Sequence, residues 1–361
     1  MNRRFLFLEN SEDSLVQLSA RKRYIERRIL QKMKLKIIRT ETTNPYENLA
    51  LEEHLTMNAK EDEVLLYLWQ NAHTVVIGRN QNPWRECDVE AIKRDGIYLA
   101  RRMSGGGAVY HDMGNLNFTF VARDDLFDIE KQTDVILLAC RLLGINAMKT
   151  GRNDLTVEGK KFSGHAYFST GGCNYHHGTI MMNVVSDDLS KYLNVPDSKL
   201  KSKGVESVRS RVTNLTEHIK DERLALQALP VQIEAMKNAL VLAAEKVYGA
   251  EALSSEKPEV THDLIDKYTS EEWRLGTRIP FEKNIVHRFE WGEVEVQLAM
   301  KGEYIKEARL YSDALETEVF ASVEDLLRGC KFDAAEISAL KVPVGTSATA
   351  NEILRLIATT L

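Results

Sequence analysis

Residues 101–120 read RRMSGGGAVYHDMGNLNFTF. Consecutive glycines lose much backbone entropy on folding, so three in a row indicate a backbone that turns tightly or closely approaches another group. Arg101 and Arg102 precede them, and a guanidinium presents its donors in a fork that suits phosphate or carboxylate. The residues after the glycines have strand character. The stretch therefore predicts a ligand-facing loop held between two strands, with an ordinary glycine-rich hairpin as the alternative.

The composition is that of an ordinary globular protein. The chain has 361 residues, 43% of them hydrophobic and 28% charged, which is enough for two or three domains. Its apolar runs are far shorter than the roughly 20 residues that cross a bilayer. The formal net charge of −5 provides no general basic field for nucleic acid. The four cysteines include no CxxC pair, so we expect neither a disulfide framework nor a zinc site, and we expect a cytoplasmic monomer.

Residues 1–32 differ from the rest of the chain in charge. They contain eight lysines and arginines against four acids. The apolar run at residues 5–8 is too short for a secretory signal, and the acids argue against a transit peptide. The sequence MKLKII at 33–38 resembles a new beginning. We expect residues 1–32 to be a disordered or helical extension, or the product of an upstream translation start.

The remaining pattern predicts an α/β fold with a second, smaller unit. Apolar and β-branched runs predict strands at 35–39, 64–69, 74–77, 98–101 and 179–185, and a hairpin of 154–157 with 161–168. Helical spacing predicts helices at 46–57, 89–94, 129–143 and 231–247. Residues 269–277 are interpreted as connecting structure. The last part predicts strands at 286–300 and 304–311 and helices at 323–329, 334–339 and 348–361.

Four polar islands occur near predicted strand ends, at residues 78–82, 101–107, 151–154 and 159–167. Their glycines, arginines, acid and lysines suit a nucleotide phosphate. Neither the P-loop order nor a GxGxxG fingerprint opening a helix is present. We therefore expect a different nucleotide site, in which glycine-loop N–H groups line a phosphate or carboxylate and a lysine from another strand neutralises charge.

Several motifs occur together between residues 33 and 217: RRMSGGGAVYHDMGN, TVVIGRNQNPWREC, GRNDL, KFSGHAY, HHGT and KGVESVRSRVTNLTE. In combination they closely resemble bacterial lipoate–protein ligases, relatives of biotin ligases that activate lipoate with ATP and transfer it to a protein lysine. The resemblance implies a mixed-sheet α/β catalytic domain at residues 33–280 and a small α+β accessory domain at 285–361, which changes orientation between the two steps. It also implies the acceptors, which are lipoyl domains of 2-oxo acid dehydrogenase E2 subunits and the glycine-cleavage H protein.

The resemblance assigns the central role to Lys161 of KFSG, which would contact both the lipoate carboxylate and the α-phosphate. Adenylation joins two anions, so an ammonium can offset their repulsion, whereas the alternative is a solvated hairpin lysine. The implied ATP-binding residues are Arg102, Gly107, Ala108, Val109, Tyr110, Asn115, Asn153, Asp154 and Lys161. The implied lipoate-binding residues are Arg102, Ser104, Gly106, Gly107, His111, Lys161 and His177.

The resemblance further implies that ATP and Mg²⁺ are required, with Asp154 as the magnesium ligand. Magnesium commonly binds one carboxylate together with substrate phosphates, and a turn-forming aspartate is the alternative. His177 could equally be a satisfied strand histidine. Cys173 suggests a rival mechanism, because related acyltransferases carry the acyl group as a cysteine thioester. We expect instead a partly exposed, unactivated loop cysteine. A transferase that uses a preformed activated donor and a non-catalytic cofactor-binding protein remain the alternative functions.

Overall fold

The computed structural model describes residues 33–151, 153–185, 191–194, 212–342 and 348–360. The expected extension at 1–32 lies outside the described residues, as does Arg152 of the GRND island.

The strands of the described chain are β1 Lys34–Arg39, β2 Glu63–Trp69, β3 Thr74–Ile77, β4 Tyr98–Arg101, β5 Val109–His111, β6 Asn115–Arg123, β7 Ala147–Thr150, β8 Asp154–Val157, β9 Lys160–Thr170, β10 Cys173–Met181, β11 Ala252–Ser254, β12 Lys283–Arg288, β13 Glu293–Lys301 and β14 Tyr304–Ser312. The α-helices are α1 Pro45–Met57, α2 Pro83–Glu86, α3 Val89–Arg94, α4 Ile129–Leu142, α5 Glu222–Ala225, α6 Leu229–Tyr248, α7 His262–Thr269, α8 Glu271–Leu275, α9 Val319–Leu327, α10 Ala334–Ala339 and α11 Ala348–Thr359.

A mixed sheet of eight strands forms the main layer, in the order β11-β1-β2-β6-β10-β9-β8-β7. Strand β1 runs parallel to β11 and β2, whereas the pairs from β2 to β7 are antiparallel. The β8–β9 hairpin turns at Glu158 and Gly159, both with positive φ, as a tight hairpin turn requires. On one face of the sheet, α4 and α6 bury a large apolar core that includes Leu66, Phe118 and Leu240.

On the opposite face, α1 packs over the central strands and a small sheet lies beside it. Leu51, Tyr67, Trp69 and Tyr175 belong to the core between these elements. The small sheet has the order β4-β3-β5, with β3 parallel to β4 and antiparallel to β5. Strands β4 and β5 lead into and out of the glycine loop, so the loop joins the two edge strands of the small sheet.

A second unit follows residue 280. Its antiparallel sheet has the order β12-β13-β14 and packs with α9, α10 and α11 around a separate core that includes Val296, Phe320 and Ile353. A mixed α/β fold with a small C-terminal α+β unit was predicted from the sequence, and this fold class is confirmed.

The element boundaries differ from the sequence prediction in two informative places. Strand β10 begins at Cys173 and therefore contains all of HHGT, of which the prediction placed only Thr179 in a strand, because histidine is not a typical residue of a buried strand. Residues 269–277, predicted as connecting structure, contain the short helix α8, which has a side-chain N-cap and directly follows α7. Ser270 Oγ accepts a hydrogen bond from Trp273 N, and Tyr268 is buried against the main unit.

The helix α1 positions the face of the sheet that carries the polar residues described below, so its N-cap should matter for stability. Asn44 Oδ1 accepts a hydrogen bond from Tyr46 N at 2.9 Å. Asn44→Ala should lower the free energy of unfolding by about 1 kcal/mol, measured by chemical denaturation with tryptophan fluorescence. Asn58→Ala, at the exposed end of the same helix, should change it by less than about 0.5 kcal/mol. Equal losses in both variants would contradict this assignment.

Candidate active site

Arg102 holds the glycine loop from beneath. Its Nη2 donates to the carbonyls of Gly105 at 2.7 Å and Gly107 at 2.8 Å, and its Nη1 donates to the carbonyl of Val76. Its Nε donates to Ser104 Oγ at 3.1 Å and to the Gly105 carbonyl at 3.2 Å. These bonds turn loop carbonyls inward. The guanidinium predicted to face a ligand is therefore used, in this structure, to fix the loop.

Arg101 has a similar structural role for the 78–82 island. Its Nη1 donates to the carbonyls of Gly78, Arg79 and Gln81, and its Nε and Nη2 donate to the carbonyl of Arg274. The guanidinium thus ties the 78–82 island to α8. Both arginine side chains are buried among backbone carbonyls rather than paired with carboxylates.

The two guanidiniums remain charged in spite of this burial. Burial lowers the pKa of Arg101 to about 10, with the nearby Arg79 charge contributing, and burial lowers the pKa of Arg102 to about 10 as well. Both values are well above neutral pH, so both groups are protonated there. Positive charge accordingly lies under the glycine loop, where it favours an anionic ligand.

The 78–82 island packs directly on the glycine loop. Arg79 N donates to the Ser104 carbonyl at 2.9 Å. A Cβ at Gly78 would lie 2.2 Å from the Gly106 carbonyl oxygen, so only glycine permits this approach. Two of the four polar islands are therefore in contact.

A buried chain of hydrogen bonds connects the loop to the main sheet and to α1. Ser104 Oγ lies 2.9 Å from His177 Nε2, and His177 Nδ1 lies 2.8 Å from Glu52 Oε1. Thr119 Oγ1 also donates to Glu52 Oε1, at 2.6 Å. In the tautomer with its proton on Nδ1, His177 donates to Glu52 and accepts the Ser104 hydroxyl proton at Nε2. The predicted residues Ser104 and His177 are thus brought together.

Glu52 was not predicted from the sequence. Its exposed fraction is 2%, and it lies on the inner face of α1 among apolar residues. An acid is almost never fully buried unless it is paired. The signal available in the sequence was therefore an acid at a core-facing position of α1, which indicates a buried partner. The sequence did not identify that partner.

His111 is buried beside this chain. Asn71 Oδ1 accepts from Asn48, so Asn71 Nδ2 faces His111 Nδ1 and donates to it at 3.2 Å. Burial lowers the pKa of His111 to about 3, with the positive charge of Arg102 contributing. The ring is therefore neutral at physiological pH with its proton on Nε2. That N–H has no hydrogen-bond partner among the described residues.

Lys161 lies at the outer end of the same sheet face. Its Nζ is 2.7 Å from Asp154 Oδ1, and the two side chains are 40% and 38% exposed. Asn153 is fixed beside them because it accepts from His165 N at 2.9 Å and donates through Nδ2 to the His165 carbonyl at 3.0 Å. The hairpin thus brings together three predicted residues, namely Asn153, Asp154 and Lys161. Lys160, the residue before Lys161, is exposed.

Two predicted nucleotide residues have side chains that are engaged elsewhere. The Tyr110 hydroxyl lies 2.6 Å from His73 Nδ1, and its ring stacks on Tyr192. Asn115 Nδ2 donates to Asn117 Oδ1 at 2.9 Å. For Tyr110, as for Ala108 and Val109, the backbone is the part that could line a nucleotide.

The expectation that Cys173 is a partly exposed loop residue is wrong. Cys173 is buried at the start of β10, and Arg123 Nη1 lies 3.3 Å from its sulfur. Cys173 is the first residue of β10, which pairs with both β6 and β9 from this residue onward. The polar residues around it had indicated a loop instead of a strand.

Comparison with known families covers most of the described structure. Residues 44–245 match the lipoyl protein ligase A/B catalytic domain, and residues 279–357 match the bacterial lipoate protein ligase C-terminus. The chain belongs to the lipoate–protein ligase family.

Individual relatives support this membership. The lipoate-protein ligase A of Psychrobacter cryohalolentis is 38% identical over 319 residues, which cover 85% of this chain and 91% of that protein. The structure of P. falciparum LipL1 in complex with lipoate is 26% identical, with a TM-score of 0.75 over 90% of this chain and 99% of that one. A lipoate-protein ligase A bound with ATP is 27% identical, with a TM-score of 0.56 over 68% and 99% of the two chains.

No cluster of three or more His, Cys, Asp or Glu side chains that could hold a metal occurs in the described part of the chain. Among the same residues, no helix combines the length and apolar character that a bilayer crossing requires.

The C-terminal unit rests on the glycine loop of the ligase. Gly106 N donates to the Ala314 carbonyl at 2.9 Å, and Ser312 N donates to the Asn80 carbonyl at 2.8 Å. A Cβ at Gly105 would lie 2.1 Å from the Ala314 carbonyl oxygen. The unit therefore covers the loop through backbone contacts that depend on the absence of a side chain.

Gly105→Ala should separate the C-terminal unit from the loop without unfolding either unit, because the new methyl group clashes with the Ala314 backbone. We expect a larger radius of gyration by small-angle X-ray scattering at unchanged helix content. Gly107→Ala is the matched control, since a Cβ there meets nothing within 4 Å. Identical scattering of the Gly105 variant and the unaltered protein would contradict the contact.

Proposed function

We propose that this chain activates lipoate with ATP and transfers the lipoyl group to a lysine of a lipoyl domain. In the first step a lipoate carboxylate oxygen attacks the α-phosphorus of ATP, which gives lipoyl-AMP and releases pyrophosphate. In the second step the lysine amine attacks the lipoyl carbonyl, forms an amide and releases AMP. The observation that carries the proposal is a glycine loop, held above the buried charge of Arg102, that contacts His177 on the sheet face at whose outer end Lys161 lies.

The first step joins two anions, so its chief requirement is positive charge placed before the substrates arrive. Lys161 is partly exposed on a flexible stem, and among the described residues its ion pair is with Asp154, so it can turn toward a carboxylate and the α-phosphate. The charge of Arg102 acts through the loop. We assign the loop N–H groups of Gly106 and Gly107, with Lys161, to the charge that builds up on the phosphate in the transition state.

Magnesium fits this site as a partner of the ATP phosphates rather than as a resident ion. Asp154 offers one accessible carboxylate at the site of adenylation, and Mg²⁺ commonly binds one or two carboxylates together with substrate phosphates. When bound, the ion would neutralise phosphate charge. Asp154 would hold it, and Asn153, fixed against His165, would keep the turn in place.

The acceptor for the second step is proposed from the family. One similar structure, 29% identical with a TM-score of 0.58 over 69% of this chain and 98% of that one, is a bipartite lipoate protein ligase with its E2 lipoyl domain from Thermoplasma acidophilum. We propose E2 lipoyl domains and the glycine-cleavage H protein as acceptors, and a cytoplasmic monomer as the working form. We also propose that the catalytic domain spans 33–280, and that the accessory domain spans 285–361 and reorients between the steps.

The alternative is a transferase that takes the acyl group from a preformed activated donor. The form of this alternative that uses a cysteine thioester requires an accessible thiol. Cys173 is buried, and burial raises the pKa of Cys87 to about 12. Neither thiol is suited to attack.

Lys161→Ala should reduce lipoate-dependent pyrophosphate release by at least about 100-fold, because neutralisation of the carboxylate and phosphate is lost. Modification of a lipoyl domain, followed by intact-mass spectrometry in the presence of ATP and Mg²⁺, should fall in parallel.

Lys160→Ala is the matched control, since this lysine is adjacent but exposed, and both readouts should stay near those of the unaltered protein. Undiminished modification by the Lys161 variant would exclude catalysis at this site. Modification without pyrophosphate release by the unaltered protein would favour the transferase.

Asp154→Asn should raise the Mg²⁺ concentration that gives half-maximal pyrophosphate release by about tenfold, because one anionic ligand is lost. The exposed carboxylate of Asp134 on α4 provides the control, and Asp134→Asn should leave this concentration unchanged. A lower maximal rate at an unchanged Mg²⁺ midpoint would show that Asp154 acts only on Lys161.

A further inference from the structure

One face of the β9–β10 pair, here termed the trough, changes from small to bulky residues along its length. Alternate residues of β9, namely Gly164, Ala166 and Phe168, lie on this face. Their pairing partners on β10 include His177, opposite Ala166, and Tyr175, opposite Phe168. The residues of the trough are therefore small near Lys161 and bulky at the far end, where Phe168 and Tyr175 lie. The glycine loop lies over the middle of this face, since Ser104 contacts His177.

The distance between the two ends of the trough can be compared with the length of a lipoyl chain. Lys161 Nζ lies 3.0 Å from the position of a Cβ on Gly164, and Gly164 N faces Thr179 Oγ1 at 3.4 Å. Tyr175 is four residues from Thr179 along β10, about 13 Å at the strand rise of about 3.3 Å per residue. At that end the rings of Tyr175 and Phe168 lie 5.4 Å apart. This span is comparable with an extended lipoyl chain whose carboxylate lies at Lys161.

Tyr175 carries a hydroxyl group at the bulky end. The residue is fully buried, and its hydroxyl lies close to Ser104 but makes no hydrogen bond of normal geometry with the described residues. Burial raises the pKa of Tyr175 well above its usual range and the charge of Glu52 adds to this effect, whereas Ser104 and Arg102 oppose it. The group is therefore a protonated donor at all ordinary pH values. A buried donor left unpaired is costly, and in native proteins such a group calls for an explanation.

We propose that Tyr175 is a specificity-determining residue that recognises the sulfur-containing ring of lipoate. This inference rests on the proposed function and deepens it. A divalent sulfur is a weak acceptor and can take the hydroxyl proton. The tail of octanoate, an acid of similar length with the same carboxylate, has no acceptor and leaves the hydroxyl unpaired. The Nε2 proton of His111 is a second unpartnered donor within the same cluster of polar groups.

The test compares lipoate with octanoate as substrates of the full chain with ATP, Mg²⁺ and a lipoyl domain. The unaltered protein should show a higher kcat/KM for lipoate. In Tyr175→Phe the ratio of the two kcat/KM values should fall by about fivefold, because the donor that separates the two tails is removed. Loss of an unpaired hydroxyl should not impair folding, which thermal unfolding will verify.

Tyr248→Phe is the matched control. Its hydroxyl is also buried and without a partner in the described chain, but it lies at the end of α6 near Asp128, away from the trough. The substrate ratio should be unchanged in this variant. An unchanged ratio in Tyr175→Phe would overturn the proposal. Equal losses for both acids would also overturn it, since they would place the hydroxyl at the shared carboxylate.

Calorimetric binding of lipoate and octanoate to the unaltered and Tyr175→Phe proteins separates this inference from the proposed function. Selective binding that depends on Tyr175, in a protein that modifies no lipoyl domain, would support the recognition and refute the ligase activity. Transfer of the lipoyl group with a substrate ratio that is insensitive to Tyr175→Phe would do the reverse.

Discussion

The site depends on how a loop of three glycines is held in one conformation. Such a loop loses more backbone entropy on folding than any other sequence of its length. The two guanidiniums before it compensate by donating to carbonyls of the loop and of its neighbours. Hydrogen bonds from charged donors contribute about 1.5–3 kcal/mol each, more than neutral ones. Because the carbonyls of Gly105 and Gly107 accept from Arg102, this arginine holds the loop without engaging the loop N–H groups.

The same arrangement determines the charge of the site. A buried arginine is usually paired with a carboxylate, which would cancel its field. Here the partners are neutral carbonyls, and the buried acid nearby, Glu52, accepts hydrogen bonds from Thr119 and His177. The protein thus keeps positive charge beneath the loop. This arrangement suits a site that receives a carboxylate and a polyphosphate, and it would serve poorly for a neutral substrate.

Much of this arrangement could be predicted from the sequence, because glycine runs, strand alternation and caps are local signals. The glycine loop, the β8–β9 hairpin and the position of Lys161 followed from them. Glu52 did not, since its partner His177 is 125 positions away and no local rule connects a helical acid with a strand histidine. The function of Arg102 was only half predicted. The residue type indicated anion binding, whereas its bonds to loop carbonyls depend on the folded loop.

The contact between Gly106 N and the Ala314 carbonyl gives the C-terminal unit a direct influence on the site. One N–H donates one strong hydrogen bond, so a phosphate that takes this donor must displace the carbonyl. Docking of the C-terminal unit and use of this donor by a ligand therefore oppose each other. By linkage the effect is reciprocal: docking of the C-terminal unit weakens ligand binding by the same free energy by which ligand binding weakens docking. The absence of a side chain at Gly105 permits the close contact, and it thus makes the loop a binding surface both for a ligand and for the protein's own chain.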